Sequence, residues 1–402
     1  MQHKDANLPQ TAASGAGADA SSSSRRFRER FKQVVASSLY HSGLLRLAQP
    51  LEGTHELTSV EGSRLPRLRR FAGSKFGILC YHRVGTEGVP LFSRLEPRVF
   101  EAQMRYIKKH YRVVPLGQMC RELHEERPVA PTLAVTFDDG YRDLYRYAFP
   151  VLQKYGIPAT IYLIGRCMET GEAPWYDRIF AALKAAPVTT LDVEMETPRS
   201  FVLSSPAARA KAACEIVCYL RTIPDARRRK WCAAFESRVA PLESDLSDRM
   251  LDWERVRTMH RDGVSFGAHT MTHPAVSRLD AAALENELGL SKRVLENGLD
   301  APVEDFAYPF GKPDDCSPAA EEFLGRSGYR SAATTSEGHN AAGTNPCRLR
   351  RLQIGDSTAM SSFAFTVSRM LLEAMPISPA GISSSPSQQA LQVRAESGRG
   401  AL

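Results

Sequence analysis

Residues 132–140 read TLAVTFDDG. Six residues of apolar and β-branched character run directly into two carboxylates and a glycine, the pattern of a buried strand that stops at a polar turn. Helical patterns over 97–110 and 116–126, with a short strand over 111–114 between them, come before it. A helix over 141–155 and a strand over 159–164 follow. Strands alternating with helices of about 10–15 residues mark an α/β fold with parallel strands, either a barrel or an open sheet. In both, ligands gather beyond the carboxyl ends of the strands, which is where Asp138 and Asp139 are expected to stand.

Working outward, the alternation begins with FGILCYHRV at residues 76–84, a short run rich in strand formers. Residues 174–250 interrupt it with a mostly helical pattern and charge clusters such as RRRK at 227–230, and read as an insertion. The rhythm resumes with a helix over 253–261, strands over 263–267, 303–308, 329–334 and 350–354, and helices over 280–297, after Pro318, and over 361–375. One domain over 76–375 results. Residues 1–24, rich in Ala, Ser and Gly, and the tail 376–402 with SPAGISSSPS read as disorder.

The chain has 402 residues, 43% hydrophobic and 24% charged, enough for one large domain with extensions. No window offers about 18 consecutive apolar residues, so a membrane span is not expected. The net charge of +7 is uneven: residues 1–75 hold 12 basic and 6 acidic side chains, leaving 40 against 39 for the rest. A near-neutral domain gives no support to nucleic-acid binding. The basic surplus lies in an extension over 25–75. There Phe27, Phe31, Val34 and Val35 recur at helical spacing among Arg25, Arg26, Arg28, Arg30 and Lys32. An amphipathic helix over 25–47 could dock on the domain or a partner, or make peripheral contact with an anionic membrane surface. Eight scattered cysteines without a C-x-x-C pair favour free thiols and a reducing compartment. With no secretory pattern in residues 1–24, the expected location is cytoplasmic, peripheral at the inner membrane face if that helix binds lipid.

Three segments at strand ends carry chemistry. With 18 Asp in the chain, about one adjacent pair is expected by chance, so position gives Asp138 and Asp139 their weight. One carboxylate can bind a cation while the other accepts a proton from water; alternatively Asp139 only caps the following helix. The second segment, GAHTMTHP at 267–274, puts His269 and His273 four apart, which in a helical turn places both imidazoles on one face. Two His and one Asp match the three-ligand arrangement of catalytic zinc, and the implied chemistry is metal-assisted hydrolysis of an ester or amide. The third segment, FAYPFG at 306–311, could give an aromatic wall and a backbone N–H for an oxyanion, or serve as an ordinary strand end.

Together these segments resemble the polysaccharide deacetylases (carbohydrate esterase family four, the NodB homology domain) over roughly residues 76–356. TFDDG is similar to the first family motif and HTMTH to the second, H-[ST]-x-x-H. The resemblance implies a distorted (β/α) barrel of about seven strands and a divalent metal, usually zinc. It also implies removal of acetyl groups from N-acetylhexosamine polymers or oligomers. On this match Asp138 is the general base, and Asp139, His269 and His273 are the metal ligands. FAYPFG is similar to the third motif, with Tyr308, Pro309 and Phe310 lining the site. The sequence departs from the family in two places. Ala307 stands where an Arg usually orients the base, and no His ends the strand over 350–354, so the proton donor is assigned to Asp138 itself or to the 312–340 loop. His82, in the opening YHRV, is taken as structural. These departures motivate one alternative, a catalytically impaired glycan-binding protein of a polysaccharide synthesis system; a second, a hydrolase of another small amide, would use the same metal site.

Overall fold

Strands buried on both faces must be apolar throughout, and the central ones here are. β1 (Phe76–Tyr81), β2 (Thr132–Phe137) and β3 (Ala159–Leu163) are buried at every residue. β4 (Ser265–Ala268), β5 (Asp305–Ala307), β6 (Ser331–Ala333) and β7 (Leu352–Gln353) complete the set. The computed structural model describes residues 75–86, 94–125, 130–238, 249–355 and 359–372. The expected disorder over 1–24 and 376–402 and the helix over 25–47 lie outside the described residues.

The strands pair in parallel in chain order from β1 to β6, and β7 returns to pair with β1 through Leu79↔Leu352 and Cys80↔Gln353. The junction between β6 and the start of the last segment is a single bridge, Ala333↔Leu349, with Thr334 N–H donating to the Leu349 carbonyl at 2.8 Å. The sheet therefore curls into a distorted seven-stranded barrel, and all its carboxyl ends converge. Arg112–Val113 adds a short strand against the start of β2.

Helices wrap the outside. α1 (Pro97–His110) begins on a proline and carries Lys108, Lys109 and His110 in its last turn, where cations suit the helix dipole. It turns Phe100, Met104 and Ile107 onto the barrel, each contributing about 1.5–3 kcal/mol by burial. The helix expected from Tyr141 instead opens with a π-helical turn, Leu144–Ala148, before Phe149–Tyr155. A second π turn, Glu285–Gly289, interrupts the helical stretch before Leu290–Leu299.

The insertion has an apolar core of its own, built on Trp175, Tyr176, Ile179, Phe180, Ile216 and Leu220. It contains α2 (Trp175–Ala185), α3 (Pro206–Thr222) and α4 (Asp225–Arg238). It also contains an antiparallel hairpin, Thr190–Val193 with Arg199–Val202, that the helical pattern did not announce. Its strands are largely exposed, so they lack the apolar alternation that marks a strand in sequence. All eight cysteines are free thiols. No helix among the described residues is long and apolar enough to cross a membrane.

Candidate metal and proton-transfer site

At the end of β2 the ladder continues one residue further, with Asp138 N–H donating to the Tyr81 carbonyl at 3.0 Å. The chain then bends through two left-handed residues, Asp139 (φ 73°) and Gly140 (φ 79°). A side chain at 140 would put its Cβ 2.5 Å from Leu163 Cδ2, so the glycine of TFDDG is required by space as well as by φ.

β4 delivers the two histidines, but not on a helical turn. His269 follows the strand directly, and the loop then doubles back through Thr270 (φ 63°) and His273 (φ 57°) to leave the two rings 4.8 Å apart. This corrects the helical expectation: left-handed residues bring the imidazoles together, where i,i+4 spacing on a helix had been assumed. Several bonds hold the loop in that form. Thr270 Oγ1 accepts from His273 N–H at 2.9 Å. Glu287, in the second π turn, accepts from Met271 N–H, Thr272 N–H and the Thr272 hydroxyl at 3.0, 2.8 and 2.7 Å. Four of the five non-glycine residues with positive φ among the described residues, Asp139, Thr270, His273 and Phe310, fall in this one region. Such residues cost roughly 1–3 kcal/mol each and persist where the surroundings over-determine them.

Asp139 Oδ1 lies 3.6 Å from His269 Nε2 and 3.5 Å from His273 Nε2, and all three residues are buried. An ion bound tetrahedrally at 2.0–2.1 Å would hold its ligand atoms about 3.3 Å apart, close to this spacing. His269 Nδ1 lies 2.7 Å from the Ala307 carbonyl; as the donor there, it leaves Nε2 with a lone pair facing Asp139. Asp139 Oδ2 has no hydrogen-bond partner. Burial, reinforced by the Asp138 carboxylate, pushes the Asp139 carboxyl well above its usual range. Burial likewise lowers the His269 imidazole to about 4, and takes His273 well below the usual histidine range with help from its neighbour. Two neutral imidazoles and a buried carboxylate with an orphaned oxygen fit a divalent cation.

Asp138 is treated in the opposite way. Arg351, fully buried, donates to it in bidentate fashion, Nη1 to Oδ1 at 2.7 Å and Nη2 to Oδ2 at 2.8 Å. Burial alone would raise the Asp138 carboxyl, but the guanidinium and the nearby His269 outweigh it and hold the group well below the carboxylate range. Arg351 Nε donates to the Thr334 carbonyl at 2.8 Å, which aims the fork. The arginine missing at position 307 is thus supplied from residues leading into β7. Ala307 contributes only its carbonyl, to His269.

His82 also belongs here. Its Nε2 lies 4.0 Å from Asp138 Oδ2, and its side chain is 20% exposed while Asp138, Asp139 and His269 are 3% or less. Burial lowers its pKa, with Asp138 opposing, so the ring favours the neutral form. The sequence set this residue aside as structural; an imidazole at a strand's carboxyl end is the signal that could have promoted it. Nothing in RLRRLQI at 348–354 singles out Arg351 from Arg348 and Arg350, so the sequence carried no signal for it.

The third segment divides. Phe310 packs its ring 4.9 Å from that of His273. Tyr308 instead points into the barrel core, 5.2 Å from Phe306, and its N–H is bonded to Ala333. Gly311 N–H bonds to the Pro309 carbonyl, which leaves the N–H of Phe310 as the one amide of 308–311 available to a ligand.

The curled parallel barrel thus carries at its rim an Asp-His-His cluster able to hold a divalent ion and, beside it, an arginine-held carboxylate. Residues 125–328, half of the chain, match the family model for polysaccharide deacetylase, and the chain belongs to that family. YxkH of Bacillus subtilis strain 168, which carries the family's name, is 21% identical over 299 residues, 74% of this chain and 77% of its own. The Streptococcus pyogenes deacetylase PplD, solved in complex with acetate, superposes with a TM-score of 0.51 at 19% identity, covering 74% of this chain and 99% of its own. BC0361, a polysaccharide deacetylase from Bacillus cereus, gives 0.48 at 20% identity over 73% and 69%. His82 and Arg351 both lie outside the matched segment.

Proposed function

We propose that this chain removes acetyl groups from N-acetylhexosamine units of a glycan, with Asp139, His269 and His273 holding a divalent ion, zinc by its donor set. The observation that carries the proposal is the contrast between adjacent carboxylates, one clamped by Arg351 and one facing two neutral imidazoles. When bound, the ion would polarise the acetamide carbonyl and lower the pKa of a nearby water from 15.7 to about 7.

The chain's own groups then divide the proton work. Asp138 accepts a proton from water as the water oxygen bonds to the carbonyl carbon, and Arg351 keeps its oxygens aimed. The Phe310 N–H donates to the developing oxyanion. As the C–N bond breaks, the nitrogen takes up the proton collected at Asp138, relayed by His82, whose neutral resting form suits it to accept and pass one on. Acetate and a free amine result. Arg351 and His82 also favour catalysis over glycan binding alone, because one orients the base Asp138 and the other lies beside it as a proton carrier.

The test is acetate release from N-acetylglucosamine oligomers by purified protein, before and after chelation and with zinc restored. Release abolished by chelation and recovered with zinc is expected. No release from protein carrying stoichiometric metal would favour binding or a different amide substrate.

A further inference from the structure

We propose that Tyr176 is a positioning residue of the metal centre, and that the insertion is thereby part of the site. The proposal rests on the reading of Asp139, His269 and His273 as ligands of a divalent ion.

The insertion starts APWYD, and Trp175, Tyr176 and Asp177 in the first turn of α2 are all buried. Trp175 and Tyr176 face the ligand loops. The Tyr176 hydroxyl donates to Asp139 Oδ1 at 3.0 Å, and its ring packs 4.9 Å from the His273 ring. Trp175 Nε1–H donates to the His273 carbonyl at 3.2 Å. From α4, the buried Arg228 donates to Thr272 Oγ1 at 3.0 Å and lies over the Trp175 ring at 4.9 Å, itself anchored by Asp225. His269 is held differently, by the Ala307 carbonyl of β5. Responsibility for the centre is therefore shared: the barrel orients His269, while the insertion orients Asp139 and His273.

The tyrosine hydroxyl does something packing cannot. A donor on Oδ1, the oxygen that faces both imidazoles, fixes the rotation of the carboxylate about its Cβ–Cγ bond and favours its charged form. Phenylalanine at 176 would keep the ring contacts and lose the hydroxyl's bonds to Asp139 and Tyr141.

The experiment measures zinc affinity by chelator competition, and the visible absorption of the cobalt(II) form, for the full chain and three variants. Tyr176→Phe is expected to weaken zinc binding about 10–100-fold and to change the cobalt spectrum. Tyr111→Phe removes a buried hydroxyl bonded to Ser368 and serves as control: it should lower thermal stability with zinc affinity and cobalt spectrum unchanged. Trp175→Phe removes the bond to the His273 carbonyl and is expected to weaken zinc several-fold, which keeps the test informative should Tyr176→Phe fail to fold. A zinc Kd within twofold of the parent in Tyr176→Phe, or in Trp175→Phe if that alone folds, overturns the proposal. A parent chain that binds no zinc overturns the metal-centre reading with it, whereas tight zinc binding without acetate release defeats only the substrate assignment.

Discussion

Asp138 has a guanidinium on both oxygens, while Asp139, the next residue, faces two imidazoles and a tyrosine hydroxyl and keeps one oxygen without a donor. The first is held below the carboxylate range and the second is pushed above it. Identical side chains on consecutive residues thus acquire opposite chemistry from the elements that reach them. Those elements differ in origin. The partners of Asp138 come from the two strands that meet where the barrel closes, β1 and the residues entering β7, whereas the hydroxyl on Asp139 comes from the insertion. Where environments drive two acids apart, acid and base roles follow.

The sharpest way to break this contrast is to remove the guanidinium. Arg351→Met leaves Asp138 buried without its counter-charge and should cost about 3–5 kcal/mol, read from urea unfolding. The double variant Arg351→Met/Asp138→Asn should recover much of that stability and none of the turnover. A single variant as stable as the parent would mean the pair does not govern Asp138.

His82 separates proton transfer from metal binding. His82→Gln should lower kcat about 10²–10⁴-fold while zinc content stays stoichiometric. Unchanged kcat would remove His82 from the relay.

On the Asp139 side, the prediction is a pH dependence. His269 sits at about 4 in the folded chain against about 6.5 when unfolded. Between those values the unfolded chain binds the proton more readily, so its contribution is complete above pH 6.5 and is lost progressively as pH falls toward 4. The metal-free protein should lose roughly 3 kcal/mol across that window from this group. Urea midpoints at pH 7 and pH 5 check it, and a flat profile would mean the imidazole is not held neutral.

Much of this was legible before any coordinates. The bounds of the strand Thr132–Phe137 and of the helices Pro97–His110 and Trp253–Arg261 match their sequence patterns, because apolar periodicity and local caps determine them. TFDDG and HTMTH were legible because each packs its polar groups within a few residues at a strand end. Arg351 and His82 were not: they are single residues 269 positions apart in sequence, and two different pairings bring them to Asp138, β1 against β2 through Tyr81↔Phe137 for His82 and β7 against β1 for Arg351. Nor does a β-branched residue such as Thr270 advertise a left-handed φ, since its intrinsic preference opposes one. Tyr176 was hidden for a third reason. Its partner lies in another element, and a tyrosine in a helical insertion looks like any other core aromatic.

The most direct test of the division between the two carboxylates is to measure zinc content and acetate release side by side in Asp138→Asn and Asp139→Asn. Asp138→Asn is expected to keep stoichiometric zinc and lose turnover, and Asp139→Asn to lose both. An active Asp138→Asn enzyme, or equal loss of zinc in the two variants, would contradict the account.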